Sequence, residues 1–61
     1  MQIHIVVKTE KPYDEWINTN VTPFLSKAKA DGLASELNEK RTSYDLMDYL
    51  EYVVETLEIA A

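Results

Sequence analysis

The chain has 61 residues, which is enough for one domain near the lower size limit for folding without crosslinks. It has no cysteine and a single histidine, so disulfides, thiolate metal sites and thiol catalysis are excluded and a zinc site is disfavoured. Its net charge of −5 comes entirely from residues 42–61, because the six acidic and six basic side chains of residues 1–41 cancel.

The first predicted element is a strand over residues 2–8. Ile3, Ile5 and Val7 are β-branched and recur with the two-residue period of an extended chain. Residues 9–20 contain turn-forming residues and are interpreted as a loop, with one helical turn as an alternative for its middle part.

A second, short strand is predicted over residues 21–25. Pro23 lies within it and has no N–H group to donate to a neighbouring strand. We therefore expect this strand to lie at an edge of the sheet or to be interrupted at the proline.

A helix is predicted from Ser26 to Asn38 or slightly beyond. The Ser26 hydroxyl is a typical N-cap for the unpaired N–H groups of the first helical turn. Four apolar residues follow the spacing of one buried helical face: Ala30, Leu33, Ala34 and Leu37.

Residues 43–59 allow two interpretations. The first is one amphipathic helix over 43–58, and Thr42 with Asp45 resembles the capping box that begins such a helix. The second is a short helix near 43–49 followed by a strand at about 51–59, where strand-favouring side chains are dense. The second is favoured, because a two-stranded ribbon is only marginally stable in water and a third strand completes the sheet.

The predicted fold class is α+β. Residues 1–61 form a single small ββαβ unit, in which an antiparallel sheet packs on one amphipathic helix and a short second helix covers 43–49. Four segments carry a resemblance: the strand of residues 3–7, the strand-to-helix junction at 24–30, the helix end at 37–38 and the closing segment 51–59. In this pattern the chain resembles small phage-encoded and bacterial proteins of unknown function.

The same order of elements is similar to that of small phage inhibitors of host RNA polymerase. This likeness is architectural, and no functional residue transfers from it because a fold does not define a function. What the resemblance implies is a setting, an accessory gene of a bacteriophage.

No catalytic, cofactor-binding or metal-binding residues are predicted. His4 is interpreted as a partly exposed structural histidine, since no nucleophile is identifiable beside it. Asp14 and Glu15 are adjacent on a loop rather than opposed across a cleft, and Trp16 is expected to close one end of the core. The chain is therefore not expected to be an enzyme.

The favoured hypothesis is a small acidic binding protein that engages a host protein with a basic surface. Acidic side chains would attract such a partner, and tyrosines are common at interfaces, although a core or core-edge role is the first expectation for them. The candidate protein-binding residues are Tyr44, Asp45, Asp48, Tyr49, Glu51, Tyr52, Glu55 and Glu58.

Two alternatives remain open at the level of sequence. One is a structural module that forms a homodimer through strand edges, and the other is a DNA mimic that occupies a nucleic-acid-binding protein. Direct nucleic-acid binding is disfavoured, because it needs basic residues that neutralise phosphates. No apolar run is long enough to span a membrane and the first residues do not fit a signal peptide, so a cytoplasmic location is expected.

Overall fold

The structure is a computed structural model that describes residues 1–60. Its three strands and two helices follow the order ββααβ. Their bounds are Gln2–Glu10 for β1, Ile17–Phe24 for β2, Lys27–Glu39 for α1, Ser43–Met47 for α2 and Glu51–Glu58 for β3. The predicted α+β class is confirmed: an antiparallel sheet packs on one helix, and a short second helix precedes the last strand.

The first strand lies at the centre of the sheet, whose order is β2-β1-β3. Both pairings are antiparallel, so Ile5 lies between Pro23 on one side and Glu55 on the other. The β1–β2 register shifts between Val6 and Val7, which leaves Val21 as an extra residue in β2. Such a bulge bends the strand and interrupts its ladder. The edge position expected for the Pro23 strand is confirmed.

The core lies between α1 and one face of the sheet. Val6 is fully buried and packs with Ala30 and Ala34. These small alanines let the helix backbone approach the sheet closely, as the spacing of the helix predicts. The partly buried side chains that complete the core are Phe24, Leu33, Leu37, Tyr52 and Val54.

The N-terminus of α1 is capped as predicted. Ser26 has an extended backbone, and its hydroxyl oxygen accepts a hydrogen bond from the Lys29 N–H at 3.3 Å. This bond satisfies one of the N–H groups that a helix leaves unpaired at its start.

The prediction that His4 is partly exposed is wrong. His4 is only 6% exposed, because it shares the face of β1 with Val6 and α1 covers that face. Its Nδ1 lies 2.9 Å from the Thr56 hydroxyl oxygen, so the buried ring keeps a polar partner. Ile3, Ile5 and Val7, which carry the two-residue period in the sequence, lie on the face that α1 does not cover, and Val7 is nevertheless buried.

The loop expected over residues 9–20 is shorter than predicted. β1 continues to Glu10 and β2 begins at Ile17, so residues 11–16 form a hairpin connection without a helix. Trp16 does not close the core, since it is 61% exposed. Its ring instead lies beneath the Lys11 ammonium, with Nζ 5.8 Å from the ring centroid.

The C-terminal third follows the favoured interpretation, and the single helix over 43–58 is wrong. Thr42 and Asp45 form both hydrogen bonds of a capping box at the start of α2. Tyr49 then has a φ of 57°, a left-handed conformation that ends the helix. The chain enters β3 through Leu50, which is buried, and the Lys11 N–H donates to the Asp48 carbonyl at 2.7 Å.

Replacing Val6 with alanine tests the packing of α1 on the sheet. We expect Val6→Ala to lower the free energy of unfolding by about 2–3 kcal/mol, because it removes buried methyl groups and leaves a cavity. Chemical denaturation followed by circular dichroism measures this change. Val21→Ala is the matched control, since Val21 is exposed in β2. Equal losses for the two variants would contradict the packing described for Val6.

Candidate functional site

The structure divides the eight predicted binding residues between two neighbouring regions. Tyr44 and Asp45 lie in α2, and Asp48 and Tyr49 follow directly after it. The other four lie on β3: Glu51, Tyr52, Glu55 and Glu58. The acidic residues therefore do not form one continuous helical face, as the rejected helical interpretation required.

Asp45 is engaged in the fold rather than free for a partner. Its carboxylate accepts a hydrogen bond from the Thr42 N–H at 2.9 Å, while the Thr42 hydroxyl accepts from the Asp45 N–H at 3.2 Å. This reciprocal arrangement satisfies two backbone N–H groups at the N-terminus of α2. The Asp45 side chain is thus accounted for by helix capping.

The core role expected for the tyrosines holds only for Tyr52. Tyr52 packs against the cluster around Val6, whereas Tyr44 is 78% exposed and Tyr49 is 67% exposed. Tyr44 lies in α2 and Tyr49 just after it. Both rings are exposed because α2 does not pack closely on the sheet. Tyrosine has an apolar body and a polar tip, and it suits a surface that a partner covers.

The side chains of β3 alternate between the two faces of the sheet. Tyr52 and Val54 lie on the face covered by α1, so Glu51, Glu55 and Leu57 lie on the uncovered face. All three of these side chains are exposed, and Ile5 lies directly opposite Glu55 on β1. The uncovered face therefore combines apolar residues with two carboxylates.

Asn38 binds the outer edge of β3. Its side-chain amide donates to the Tyr52 carbonyl at 2.9 Å, and its side-chain oxygen accepts from the Tyr52 N–H at 2.8 Å. These two bonds imitate the pair that a neighbouring strand would make. They also show that the backbone groups of Tyr52 point away from β1.

The orientation of Tyr52 fixes that of the other residues of β3. In an antiparallel ladder, backbone groups point alternately toward and away from the neighbouring strand. Val54, Thr56 and Glu58 therefore also direct their N–H and C=O groups outward. The bond from the Ile59 N–H to the Met1 carbonyl, 2.8 Å long, agrees with this alternation.

A groove of about 700 Å³ lies between α1 and β3. Arg41 supports one end of it by donating to two backbone carbonyls, those of Asn38 and Leu50, each at 2.9 Å. The residues that line the groove are Lys27, Asp31, Ala34, Ser35, Asn38, Glu39, Arg41, Tyr52, Val53 and Val54. The sequence reasoning missed Asn38 and Arg41 as site residues, because only the folded chain brings them to β3.

The described residues offer little for catalysis or metal binding. Within residues 1–60, no group of three histidine, cysteine or acidic side chains is placed to hold a metal ion. His4 contacts a threonine hydroxyl beneath α1, and Asp14 and Glu15 are exposed in the hairpin connection. None of the helices described in residues 1–60 is both long enough and apolar enough to cross a membrane.

Comparison of the chain with protein-family models, curated proteins and solved structures finds no match. The resemblance to phage-encoded ββαβ proteins stays a prediction, and the functional argument depends on the geometry of the chain itself.

Substitutions at Asn38 test its role at the edge of β3. Asn38→Ala is expected to lower the free energy of unfolding by about 1–2 kcal/mol, because both Tyr52 backbone groups lose their partner. Asn38→Asp should cost at least as much, since a carboxylate cannot donate to the Tyr52 carbonyl. Amide exchange should accelerate at Tyr52 and stay slow at Val53. Ser35→Ala, an exposed change in the same helix, is the control, and unchanged exchange at Tyr52 would contradict the role of Asn38.

The left-handed backbone of Tyr49 predicts that a smaller residue there stabilises the fold. Asparagine tolerates this conformation better than tyrosine, so Tyr49→Asn should raise the free energy of unfolding by up to about 1 kcal/mol. Tyr44→Asn is the matched control, because Tyr44 is also exposed but lies in a helix. Chemical denaturation measures both, and a loss of stability in Tyr49→Asn would show that the ring makes a stabilising contact.

Proposed function

We propose that this chain is a non-enzymatic binding protein that engages a basic partner protein through β3 and the exposed end of α2. The observation that carries the proposal is the unneutralised charge on β3. Glu51 and Glu55 are exposed, and within residues 1–60 neither forms an ion pair. Glu58 lies 3.2 Å from the amino group of Met1, but both groups are exposed and such pairs contribute little.

Most of the basic side chains are engaged within the fold rather than paired with the carboxylates of β3. Lys27 and Lys40 form ion pairs within α1, each 2.9 Å long, and Arg41 donates to backbone carbonyls. Lys11 lies over the Trp16 ring. None of these basic groups pairs with Glu51 or Glu55, so both carboxylates keep an unpaired negative charge within residues 1–60. It would attract a basic surface and accelerate its association.

The uncovered face of the sheet adds an apolar component to this surface. Leu57 is 51% exposed, and the half-buried Ile3 and Ile5 lie on the same face of the central strand. Protein interfaces commonly combine an apolar centre with a polar rim. Glu51 and Glu55 supply charge next to this apolar area, and this combination suits a protein partner.

Tyr49 supports the same proposal. A bulky residue in the left-handed conformation costs roughly 1–2 kcal/mol, and its exposed ring recovers little of that cost by packing. Strained residues of this kind tend to occur at functional positions. Contact between the Tyr49 ring and a partner would account for a tyrosine at this position.

The geometry favours a basic protein surface over DNA mimicry. Glu51 and Glu55 lie four residues apart on one face, which corresponds to about 13 Å along a strand. A DNA strand presents a charge roughly every 3.4 Å along its axis, so these carboxylates are too sparse to imitate it. The sequence resemblance implies that the chain is encoded by an accessory gene of a bacteriophage. The proposed partner is therefore a protein of the bacterial host.

Charge reversal on β3 tests the proposed function. Glu51→Lys combined with Glu55→Lys should abolish capture of a basic protein from a bacterial lysate, whereas the unchanged chain should retain it. Binding should also weaken as salt is added, because the attraction is electrostatic. Glu15→Lys combined with Glu36→Lys makes the same change in net charge away from β3 and is the matched control. Equal capture by both double variants, or capture by neither the unchanged chain nor the control, would contradict the proposal.

A further inference from the structure

We propose that the outer edge of β3, from Val54 to Glu58, binds an extended basic segment of the partner as a fourth strand of the sheet. This inference rests on the proposed function and specifies the form that the bound segment takes. An open strand edge offers backbone hydrogen bonds to an incoming chain, while its side chains select the sequence.

The opposite edge of the sheet is protected against such pairing. Pro23 pairs with Ile5 at a position where the backbone of β2 points away from β1, so its missing N–H falls on the outer edge. The bulge at Val21 disrupts the same edge close by. Proline and bulges are two features that keep edge strands from pairing. The β2 edge is thus a poor acceptor for a further strand.

The outward backbone groups of the β3 edge are occupied at one position only among the described residues. Asn38 occupies the outward groups of Tyr52, and no other side chain described in residues 1–60 bonds to the outward groups of Val54, Thr56 or Glu58. β3 contains no proline, and its register with β1 is continuous from Thr9–Glu51 to Gln2–Glu58. A segment of regular strand edge is therefore available beyond Asn38.

The groove between α1 and β3 gives the incoming strand a flank. α1 contributes Asp31 and Ser35 to the wall of this groove, together with Lys27, whose ammonium is paired with Asp31, and Val54 lines the groove from β3. Asn38 lies at the Tyr52 end of this groove, where its amide already takes the place of a strand. The added strand would consequently begin next to Val54 and extend toward Glu58.

The side chains of β3 select a basic segment. Residues directly opposite each other on neighbouring strands contact one another on the same face, and opposite charges there are favourable. The residue opposite Glu55 should therefore be lysine or arginine, and the residue opposite Leu57 should be apolar. The bound segment is expected to alternate basic and apolar side chains on the face that α1 leaves uncovered.

A second copy of the chain fits this edge less well. Antiparallel pairing centred on Thr56 leaves the Asn38–Tyr52 bonds intact, because it pairs Val54 with Glu58. In that register Glu55 lies opposite the leucine at position 57 of the other copy, and no ion pair forms across the interface. Each copy also carries a net charge of −5. A basic segment gains charge complementarity where a second copy meets repulsion.

A synthetic peptide provides the probe. It has nine residues, with Lys and Val alternating at odd positions and Thr at even positions, and its control has Glu in place of Lys. NMR titration should show slower amide exchange at Val54 and Thr56 on binding of the Lys peptide, because the outward N–H groups gain acceptors. The Glu peptide should produce no such effect. Exchange at Val53 should change little, since its N–H already points to β1.

Two substitutions at one position separate the backbone from the side chain. Thr56→Pro and Thr56→Ala both remove the hydroxyl that contacts His4, but only Thr56→Pro removes the outward N–H. We expect Thr56→Pro to weaken peptide binding about tenfold relative to Thr56→Ala, the effect of losing one hydrogen bond of ordinary strength. Circular dichroism establishes whether each variant folds. If a variant does not fold, the amide-exchange measurement on the unchanged chain still tests the inference.

The outcomes separate this inference from the proposed function. Equal affinity of folded Thr56→Pro and Thr56→Ala, or unchanged exchange at Val54 and Thr56, would overturn strand addition. If strand addition failed but charge reversal of Glu51 and Glu55 still abolished capture, the proposed function would hold without this inference. Sedimentation of the peptide-free chain as a dimer, with Thr56 already protected, would assign the edge to a second copy and overturn the inference. Equal binding of the Lys and Glu peptides would overturn its charge selectivity.

Discussion

The packing of Val6 against Ala30 and Ala34 holds α1 on the sheet, and the candidate site depends on this contact. Val6 lies on the central strand, so the helix covers the middle of one face and contacts all three strands. The small alanine side chains bring the end of α1 close enough for the Asn38 amide to reach β3. The same packing thus forms the core and positions the residue that limits the open edge.

A single helix on a three-stranded sheet leaves surface that a larger domain would bury. On the face of the sheet that α1 does not cover, Leu57 is exposed and Ile3 and Ile5 are half-buried, whereas Val7 is buried. The two outer edges are treated differently, since Pro23 and the bulge at Val21 protect β2 and no such feature protects β3 beyond Tyr52. The acidic charge lies on the open side. The exposed tyrosines lie near the Glu51 end of β3, the open edge lies toward its Glu58 end, and the exposed carboxylates are spread along the strand.

Local patterns predicted most of the secondary structure. The Ser26 cap, the apolar spacing of α1 and the Thr42–Asp45 capping box are interactions between residues close in sequence, and each appears as expected. The start of β2 was missed, because the polar residues 17–20 resemble a loop and become a strand only by pairing with β1. Trp16 was misplaced for a related reason, since its exposure depends on where the hairpin turns.

The candidate site was predicted only in part. The acidic and tyrosine-bearing residues could be found from composition, but their distribution over α2 and both faces of β3 could not. Asn38 and Arg41 had no sequence signal for a site, because their partners, Tyr52 and Leu50, come from a separate part of the chain. Such contacts depend on how α1 and β3 are oriented, which no local pattern encodes.

The sequence by itself determined the elements, their order and the location of the excess charge, since these follow from side-chain periodicity, capping and composition. Only the tertiary structure decided which face of β1 packs against α1, since Val6 and Val7 are both buried although they lie on opposite faces. Ile3, Ile5 and Val7 and the alternate residues His4 and Val6 are both compatible with a strand, and the side on which α1 packs selects between them. Tertiary structure also decided which edge stays open, because that depends on which strand lies in the centre.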